Sequence, residues 1–153
     1  MKNIAIGILF STMLFGCVSI NKADVNTAKT VQALTAPSYG KAGIYIIGSS
    51  IPRDLWLDGH CLGPAGKNGF FYQEVDAGTH VVSTESEFSP NHLIIKTEPN
   101  KFYYIQQYTK PSLITVSSDV KEVKDVTGKK AVNKATLSEL DHCYRKEIKL
   151  PQY

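Results

Sequence analysis

The sequence predicts an all-β protein, a small antiparallel β-sandwich of about seven strands with a helical or irregular C-terminal segment. Short runs rich in β-branched and aromatic residues recur along the chain, and glycine, proline, asparagine or aspartate stands in nearly every gap. Turn signals spaced about eight to twelve residues apart are typical of sandwiches. The clearest stretch is residues 55–85, where the turns Asp58-Gly59 and Asp76-Ala77-Gly78 separate such runs. Asp-Gly between apolar runs is a strong hairpin signal.

The N-terminus has the pattern of a signal peptide. Lys2 supplies a positive charge, and the apolar run of residues 4–15 is too short to cross a bilayer as a helix but has the length of a signal-peptide core. The run ends in Leu14-Phe15-Gly16-Cys17, which resembles a bacterial lipobox. The resemblance implies a signal peptide over residues 1–16 and a lipidated Cys17, with a diacylglycerol on Sγ and an acyl chain such as palmitate on the amine. A plain secretory signal followed by a chance cysteine is the alternative.

The residue after Cys17 carries a sorting signal. Several acyl chains anchor a protein firmly in a membrane, whereas one chain alone is marginal. Position 18 holds valine rather than aspartate. By resemblance to the Gram-negative sorting rule, this implies the periplasmic face of the bacterial outer membrane, with the N-terminal lipid as the membrane contact.

Composition divides the rest of the chain into a tether, one domain and a tail. Residues 17–38 lack a clear period and end in Ala36-Pro37-Ser38, which predicts a flexible tether of roughly 25 Å root-mean-square span. A short helix over residues 30–34 is the alternative. Residues 39–145 suffice for one β-sandwich domain, and residues 146–153 form the tail.

Alternation of apolar and polar residues places the strands and their buried faces. We expect strands at residues 42–48, 54–58, 70–75, 79–85, 93–97, 102–108 and 113–118. The expected core pairs are Ile44/Ile46, Leu55/Leu57, Phe71/Val75 and Leu93/Ile95. If Leu55 and Leu57 face the core, Trp56 points to the opposite face of the same strand.

The sequence changes character after Asp119. Residues 120–126 fit either a strand or a helical turn, and Gly128 breaks the pattern. Apolar residues at roughly helical spacing predict a helix within residues 131–144, with Thr136 or Ser138 as its cap.

Several stretches resemble one bacterial lipoprotein family. They are Gly40-Lys41-Ala42-Gly43-Ile44-Tyr45-Ile46, Leu57-Asp58-Gly59, Ala77-Gly78-Thr79-His80, Ser83-Thr84-Glu85-Ser86-Glu87-Phe88-Ser89 and Lys101-Phe102-Tyr103-Tyr104-Ile105-Gln106-Gln107. The family is domain of unknown function twenty-eight forty-six (DUF2846), and the similarity spans about residues 40–132. The run from Ser83 to Ser89 is its most specific part. The central pattern Asp58-Gly59 followed by Gly78-Thr79-His80 is also similar to PEGA-type β-sandwich interaction modules. The resemblance implies a fold and a location but no activity.

Two cysteines remain after lipidation of Cys17. Cys61 and Cys143 form an even pair, which in an oxidising compartment predicts a disulfide. The bond would close a loop of about eighty residues, worth about 4.5 kcal/mol in the chain-entropy model. One alternative is a metal site that combines the His60-Cys61 and His142-Cys143 dipeptides, although adjacent residues point apart. Another is a cysteine nucleophile with His60 or His142 as its base.

Three polar residues offer other chemistry. His80 follows the Gly78 turn and is a candidate general base near Ser83 or Asp76, against the alternative of a strand histidine bonded to a carboxylate or backbone group. Glu85 and Glu87 would share one face of an extended strand, which is compatible with a carboxylate pair or a cation site. A solvated strand end is the competing interpretation.

Exposed aromatic residues are the best indication of a binding surface, because tyrosine and tryptophan are favoured at interfaces. The candidate patch consists of Trp56, Tyr72, Tyr103 and Tyr104. The alternative is that the C-terminal segment covers Trp56.

The function that these observations favour is a non-catalytic binding or scaffold module for an envelope protein or a glycan. The net charge of +3 is small, so it indicates neither a nucleic-acid partner nor an acidic substrate. We expect no cofactor and no metal. The alternatives are an envelope enzyme or metal-dependent activity that uses His80, Glu85 or Cys61, and an inhibitor of a lytic enzyme that presents a protruding loop at residues 64–69.

Overall fold

The computed structural model describes residues 24–111 and 116–152, so the predicted signal peptide, Cys17 and the first residues of the predicted strand 113–118 lie outside the described residues. Within these residues it contains two helices and nine strands. They are α1 (Val25–Gln32), β1 (Lys41–Ile47), β2 (Asp54–Leu57), β3 (His60–Pro64), β4 (Gly69–Asp76), β5 (Gly78–Thr84), β6 (Asn91–Thr97), β7 (Phe102–Pro111), β8 (Val116–Val123), α2 (Asp125–Val132) and β9 (Thr136–Leu137). Neither helix of this described part has the length and apolar character to cross a membrane.

The strands form two sheets that pack face to face, which confirms the predicted sandwich. One sheet has the order β8-β7-β1-β4-β9 and the other the order β3-β2-β5-β6. Most neighbouring strands are antiparallel, but β1 pairs in parallel with β7, and β4 with β9. A sequence pattern reports that a strand exists and which face it buries, not which strand lies beside it, so these parallel pairs could not be predicted.

The core between the sheets contains every predicted core pair. Ile44, Ile46, Leu55, Leu57, Phe71 and Ile95 are buried in one cluster, and Val75 and Leu93 pack against it. Period-two alternation therefore identified the inner face of the strands correctly, because side chains alternate between the faces of a strand.

A second apolar cluster lies on the outer face of the five-stranded sheet, beneath α1 and α2. It joins Ala28 of α1 and Val132 of α2 to rings of Tyr45, Phe70 and Tyr104 on the strands. The rings of Tyr45 and Tyr104 are stacked with centroids 5.1 Å apart. The molecule therefore has a helix layer, composed of α1 and α2, over one face of its sandwich.

Helix α2 lies earlier in the chain than the predicted helix of residues 131–144. Gly128, expected to break structure, is instead buried in α2, where a Cβ would overlap Tyr104. Within the expected helix, Leu137 belongs to β9, and residues 139–152 form neither helix nor strand. Val132 and Leu137 pack against the five-stranded sheet, whereas Leu140 and Tyr144 are exposed, so the helical spacing does not correspond to one buried helix face.

Helix α1 occupies part of the segment predicted as a tether. The Asp24 carboxylate caps it by accepting from the Asn26 N–H. Tyr45 Oη donates to the Val31 carbonyl at 2.9 Å, and Gln32 Nε2 donates to the carbonyls of Val132 and Ala135. These contacts hold a weakly patterned segment that has little helical signal of its own, because packing stabilises short helices more than propensity does.

Candidate functional site

His80 links the two turns that separate β2 from β3 and β4 from β5. Asp58 and Gly59 both have positive φ, as a primed hairpin turn requires. His80 Nδ1 lies 2.6 Å from Asp58 Oδ2, and its Nε2 lies 2.8 Å from the Asp76 carbonyl oxygen. Both ring nitrogens thus have partners, as the strand-histidine interpretation predicted. Ser83, suggested as a neighbour of a histidine base, bonds instead to His92 Nδ1 at 2.7 Å.

The disulfide predicted from the cysteine count joins Cys61 to Cys143. The Cα atoms are 5.9 Å apart, and the bond spans a sequence separation of 82 residues. Both sulfurs are consumed in this bond, which removes the cysteine nucleophile and the sulfur ligands of the alternative metal site. Among residues 24–111 and 116–152, no three histidine, cysteine or acidic side chains gather in a metal-binding group.

The disulfide fastens the C-terminal strap, residues 139–152, over the outer face of the four-stranded sheet. The Asp141 N–H donates to the Leu62 carbonyl, and the Tyr144 N–H donates to Asp54 Oδ2 at 2.6 Å. Farther along, Leu150 lies against Gly59 at the other end of β2. The strap therefore follows β2 along its length.

Trp56 is fully buried, so it cannot belong to an exposed patch. It lies on the same face of β2 as Asp54, because alternate residues of a strand share a face. The strap runs over that face from Tyr144 to Leu150, which matches the alternative that the C-terminal segment covers the tryptophan. The indole Nε1 has no hydrogen-bond partner within the described residues.

The other three aromatic residues of the predicted patch do not form one surface either. Tyr103 packs against the core between the sheets, and its Oη accepts from the Glu98 N–H. Tyr104 is buried and Tyr72 half-buried beneath the helix layer, on the opposite face. Burial raises the pKa of the Tyr72 phenol, which also donates to Glu74. Neighbouring positions on one strand point in opposite directions, so residues 103 and 104 could not share a patch.

The Ser83–Ser89 run forms the end of β5 and a loop that continues to residue 90. A polar network fixes the base of this 85–90 loop. The Glu85 N–H donates to the Asp54 carbonyl, and Ser86 Oγ lies 2.6 Å from Ser117 Oγ. Asn91 Nδ2 donates to the Ser118 carbonyl at 2.6 Å. Hydrogen bonds to two neighbouring strands therefore hold both ends of the loop.

Beneath the loop lies a buried glutamine that pattern analysis overlooked. Gln107 Nε2 donates to Thr84 Oγ1 at 2.6 Å and to the Arg53 carbonyl at 3.2 Å. Gln107 is almost fully buried, although its Oε1 has no partner within the described chain. The signal available in the sequence was the polar Gln106-Gln107 pair, which interrupts the apolar and aromatic run of residues 102–108.

The tip of the 85–90 loop presents Phe88 to solvent, with 84% of its surface exposed. A cavity of about 220 Å³ beside it is lined by Glu87, Lys110 and Ser117. A second cavity of about 260 Å³ is lined by Glu85, Arg53 and Tyr144. Glu85 and Glu87 thus line different cavities, whereas the sequence predicted a shared face, because the strand ends at Thr84 and the chain turns.

The second cavity has an exposed aromatic side chain above a buried carboxylate. Tyr144 is 91% exposed, and Asp54 below it is buried. Burial raises the pKa of the Asp54 carboxyl, although the N–H groups of Tyr144 and Arg145 donate to it and oppose the shift. This end of the sandwich thus combines two exposed aromatic side chains, Phe88 and Tyr144, with two cavities that each contain charged groups.

The loop of residues 64–69, expected to protrude, packs against the fold at Ala65, whereas Lys67 and Asn68 at its tip are exposed. Ala65 is fully buried, and a Cβ at Gly48 would overlap its carbonyl group. The Gly69 N–H donates to Gly66 O at 2.8 Å and closes the loop on itself. Its glycine and proline content correctly indicated a loop but did not indicate how far it projects.

The fold and this site define a class: a small β-sandwich protein with a helix layer and a disulfide-bonded C-terminal strap. A family model described as "Protein of unknown function (DUF2846)" matches residues 38–119, more than half of the chain. The chain belongs to this family. It is also 36% identical over 131 residues to an uncharacterized protein of Haemophilus influenzae, a match that covers 82% of this chain and 78% of the relative. No solved structure matches.

Proposed function

We propose that this protein is a lipoprotein, anchored through Cys17 to the periplasmic face of the outer membrane, that acts as a non-catalytic binding module for another envelope protein. The lipobox-like Leu14-Phe15-Gly16-Cys17 supports the anchor, and the exposed Phe88 on its hydrogen-bonded loop supports the binding role. Membership of the family is compatible with this proposal but assigns no activity.

Phe88 is the observation that carries the proposal. A large exposed aromatic side chain on a loop with a fixed base binds at low entropic cost, since little backbone freedom is lost on association. Aromatic anchors of this kind dominate the binding energy of many interfaces. Tyr144 and the cavities on either side of the loop supply the polar rim and the second aromatic contact that such an interface uses.

The test places a photo-crosslinking amino acid at position 88 in the full-length protein in intact cells. We expect a discrete crosslinked product with one envelope protein. The matched control is position 39, because Tyr39 is 98% exposed and precedes β1 at the opposite end of the sandwich. Equal products at both positions, or none at position 88, would contradict the assignment of the surface.

Phe88→Ala then measures what the side chain contributes. We expect binding of the captured partner to weaken by about 2 kcal/mol or more, as for an aromatic hot spot, with unfolding unchanged because Phe88 is exposed. Tyr39→Ala should leave binding unaltered. The anchor is tested separately with Cys17→Ser, which we expect to abolish lipid labelling and release the protein from the outer-membrane fraction.

A further inference from the structure

The position of α1 limits how the protein can sit on its membrane. Only the six residues 18–23 separate Cys17 from the capping residue Asp24. Even fully extended, the chain from Cys17 to Asp24 reaches about 24 Å. A compact domain of this size is about 36 Å across by the scaling of radius of gyration with length. The short connection therefore cannot pass around the domain to its far side.

Helix α1 is fixed to the sandwich rather than trailing from it. Ala28 is buried, Tyr45 Oη donates to Val31 O, and Gln32 Nε2 bonds the end of α2. The point at which the lipid connection meets the folded domain thus lies on the helix layer. A lipid inserted at Cys17 therefore keeps the start of the helix layer within about 24 Å of the bilayer.

The helix layer carries the charge that an anionic bilayer attracts. Five exposed lysines lie in or beside its two helices, against the acidic residues Asp24 and Asp125. They are Lys29, Lys124, Lys129, Lys130 and Lys134. Two further carboxylates, Glu98 and Glu122, line a cavity beside Val126 and Lys129. None of the five forms an ion pair within the described residues, whereas Lys41, Lys101 and Lys110 each pair with a carboxylate.

The outward side of α2 combines charge with apolar surface. Gly128 and Val132 face the sheet, so Val126 and Lys130 project away from it, because residues four apart share a helix face. Val126 is 83% exposed. A lysine beside an exposed aliphatic side chain suits the boundary between headgroups and acyl chains.

We propose that the helix layer is a membrane-facing surface that lies against anionic phospholipid headgroups through its lysines. This inference rests on the proposed lipidation of Cys17, since the short connection supplies the orientation and the lysines supply the attraction. In this orientation the strap and the 85–90 loop lie away from the bilayer and can contact a partner.

The test measures the acylation rate of each lysine in the full-length lipoprotein, purified and reconstituted in vesicles of phosphatidylcholine with phosphatidylglycerol. Rates are normalised to those in neutral detergent. We expect the five helix-layer lysines to react about fivefold more slowly. This ratio corresponds to the attraction of about 1 kcal/mol between one lysine and an anionic surface. Lys96 on β6 and Lys146 in the strap are exposed on the other side of the molecule and should keep their rates.

A pair of charge-matched variants separates attraction from tethering. Lys129→Gln with Lys130→Gln should restore much of the reactivity of Lys124 and Lys134, as should high salt, which screens exposed charges. Lys96→Gln with Lys146→Gln removes the same charge and should change nothing. An equal effect of the two double variants would overturn the proposal.

Intact mass distinguishes failure of this inference from failure of the anchor. A purified protein that lacks lipid on Cys17 contradicts the proposed function itself. A lipidated protein whose lysines all react at similar rates contradicts only the membrane-facing assignment of the helix layer. Protection confined to Lys96 and Lys146 would reverse the orientation and likewise overturn it.

Discussion

His92 shows how one side chain couples stability to pH. It lies half-buried on β6 with Nδ1 2.7 Å from Ser83 Oγ, and Ser83 is fully buried. Burial lowers the pKa of His92 below its ordinary value of 6.5, because the charged imidazolium loses hydration there. The unfolded chain takes up the proton at that ordinary value, so the folded state loses free energy as the pH falls below it.

Replacement of His92 by glutamine should therefore flatten the acid side of the stability profile. Glutamine keeps a hydrogen-bonding group beside Ser83 but does not titrate. Wild type should lose free energy of unfolding as the pH falls below about 6.5, by at most about 1.4 kcal/mol per unit from this group. Urea unfolding at several pH values measures the difference between the two proteins. An identical slope in His92→Gln would refute the assignment.

At the scale of elements, the disulfide and the strap stabilise the four-stranded sheet together. The bond joins β3 to Cys143, and the strap beyond it covers Trp56. The stabilisation comes chiefly from restricting the unfolded chain over a separation of 82 residues. The consequence in the folded state is local, because loss of the bond frees the strap from the edge strand before it disturbs the core between the sheets.

Reduction should expose Trp56, which is the single tryptophan of the chain and so its own fluorescent probe. We expect a red-shifted emission and a several-fold rise in acrylamide quenching, together with a loss of about 4 kcal/mol of unfolding free energy. A Cys61→Ser/Cys143→Ser variant should show the same signals without reductant and no further change with it. Emission that stays blue-shifted after confirmed reduction would mean that other contacts hold the strap.

At the scale of the whole molecule, four layers follow one another: the helix layer, the five-stranded sheet, the four-stranded sheet and the strap. Each outer layer is short and covers aromatic side chains of the sheet beneath it, such as Tyr45 and Trp56. The sandwich thus has apolar surface on the outer faces of both sheets, and the helix layer and the strap bury it.

Removal of α1 should destabilise the whole domain. A chain that begins at Ala36 loses the buried Ala28, part of Val31 and the hydrogen bonds of Gln32 and Tyr45. We expect a cost of about 2–4 kcal/mol in unfolding free energy relative to a chain that begins at Asp24. Hydrogen exchange should locate the loss in β1 and α2. Equal unfolding free energies of the two chains would show that the contacts of α1 add no net stability.

Sequence patterns predicted the sandwich, its inner face and the disulfide. Alternation can be recognised within a single strand, and the number of cysteines can be counted. The same patterns missed β3, since His60–Pro64 has two glycine or proline positions and little alternation. They also placed α2 too late and left open whether Trp56 is exposed or covered by the C-terminal segment. Those outcomes depend on contacts between distant residues, such as Gly128 with Tyr104 and Tyr144 with Asp54, which no local window contains.

The parallel pairing of β1 with β7 has a consequence for the order of folding. β1 lies at the centre of its sheet, yet its neighbour β7 is made about sixty residues later, and β9 and Cys143 come later still. Strand pairs between residues far apart in sequence form slowly. A chain that is still being synthesised cannot complete the five-stranded sheet until synthesis is nearly finished. On the proposed route to the envelope, this delay would keep the nascent chain unfolded, and so competent for export, while its last strands are still being made.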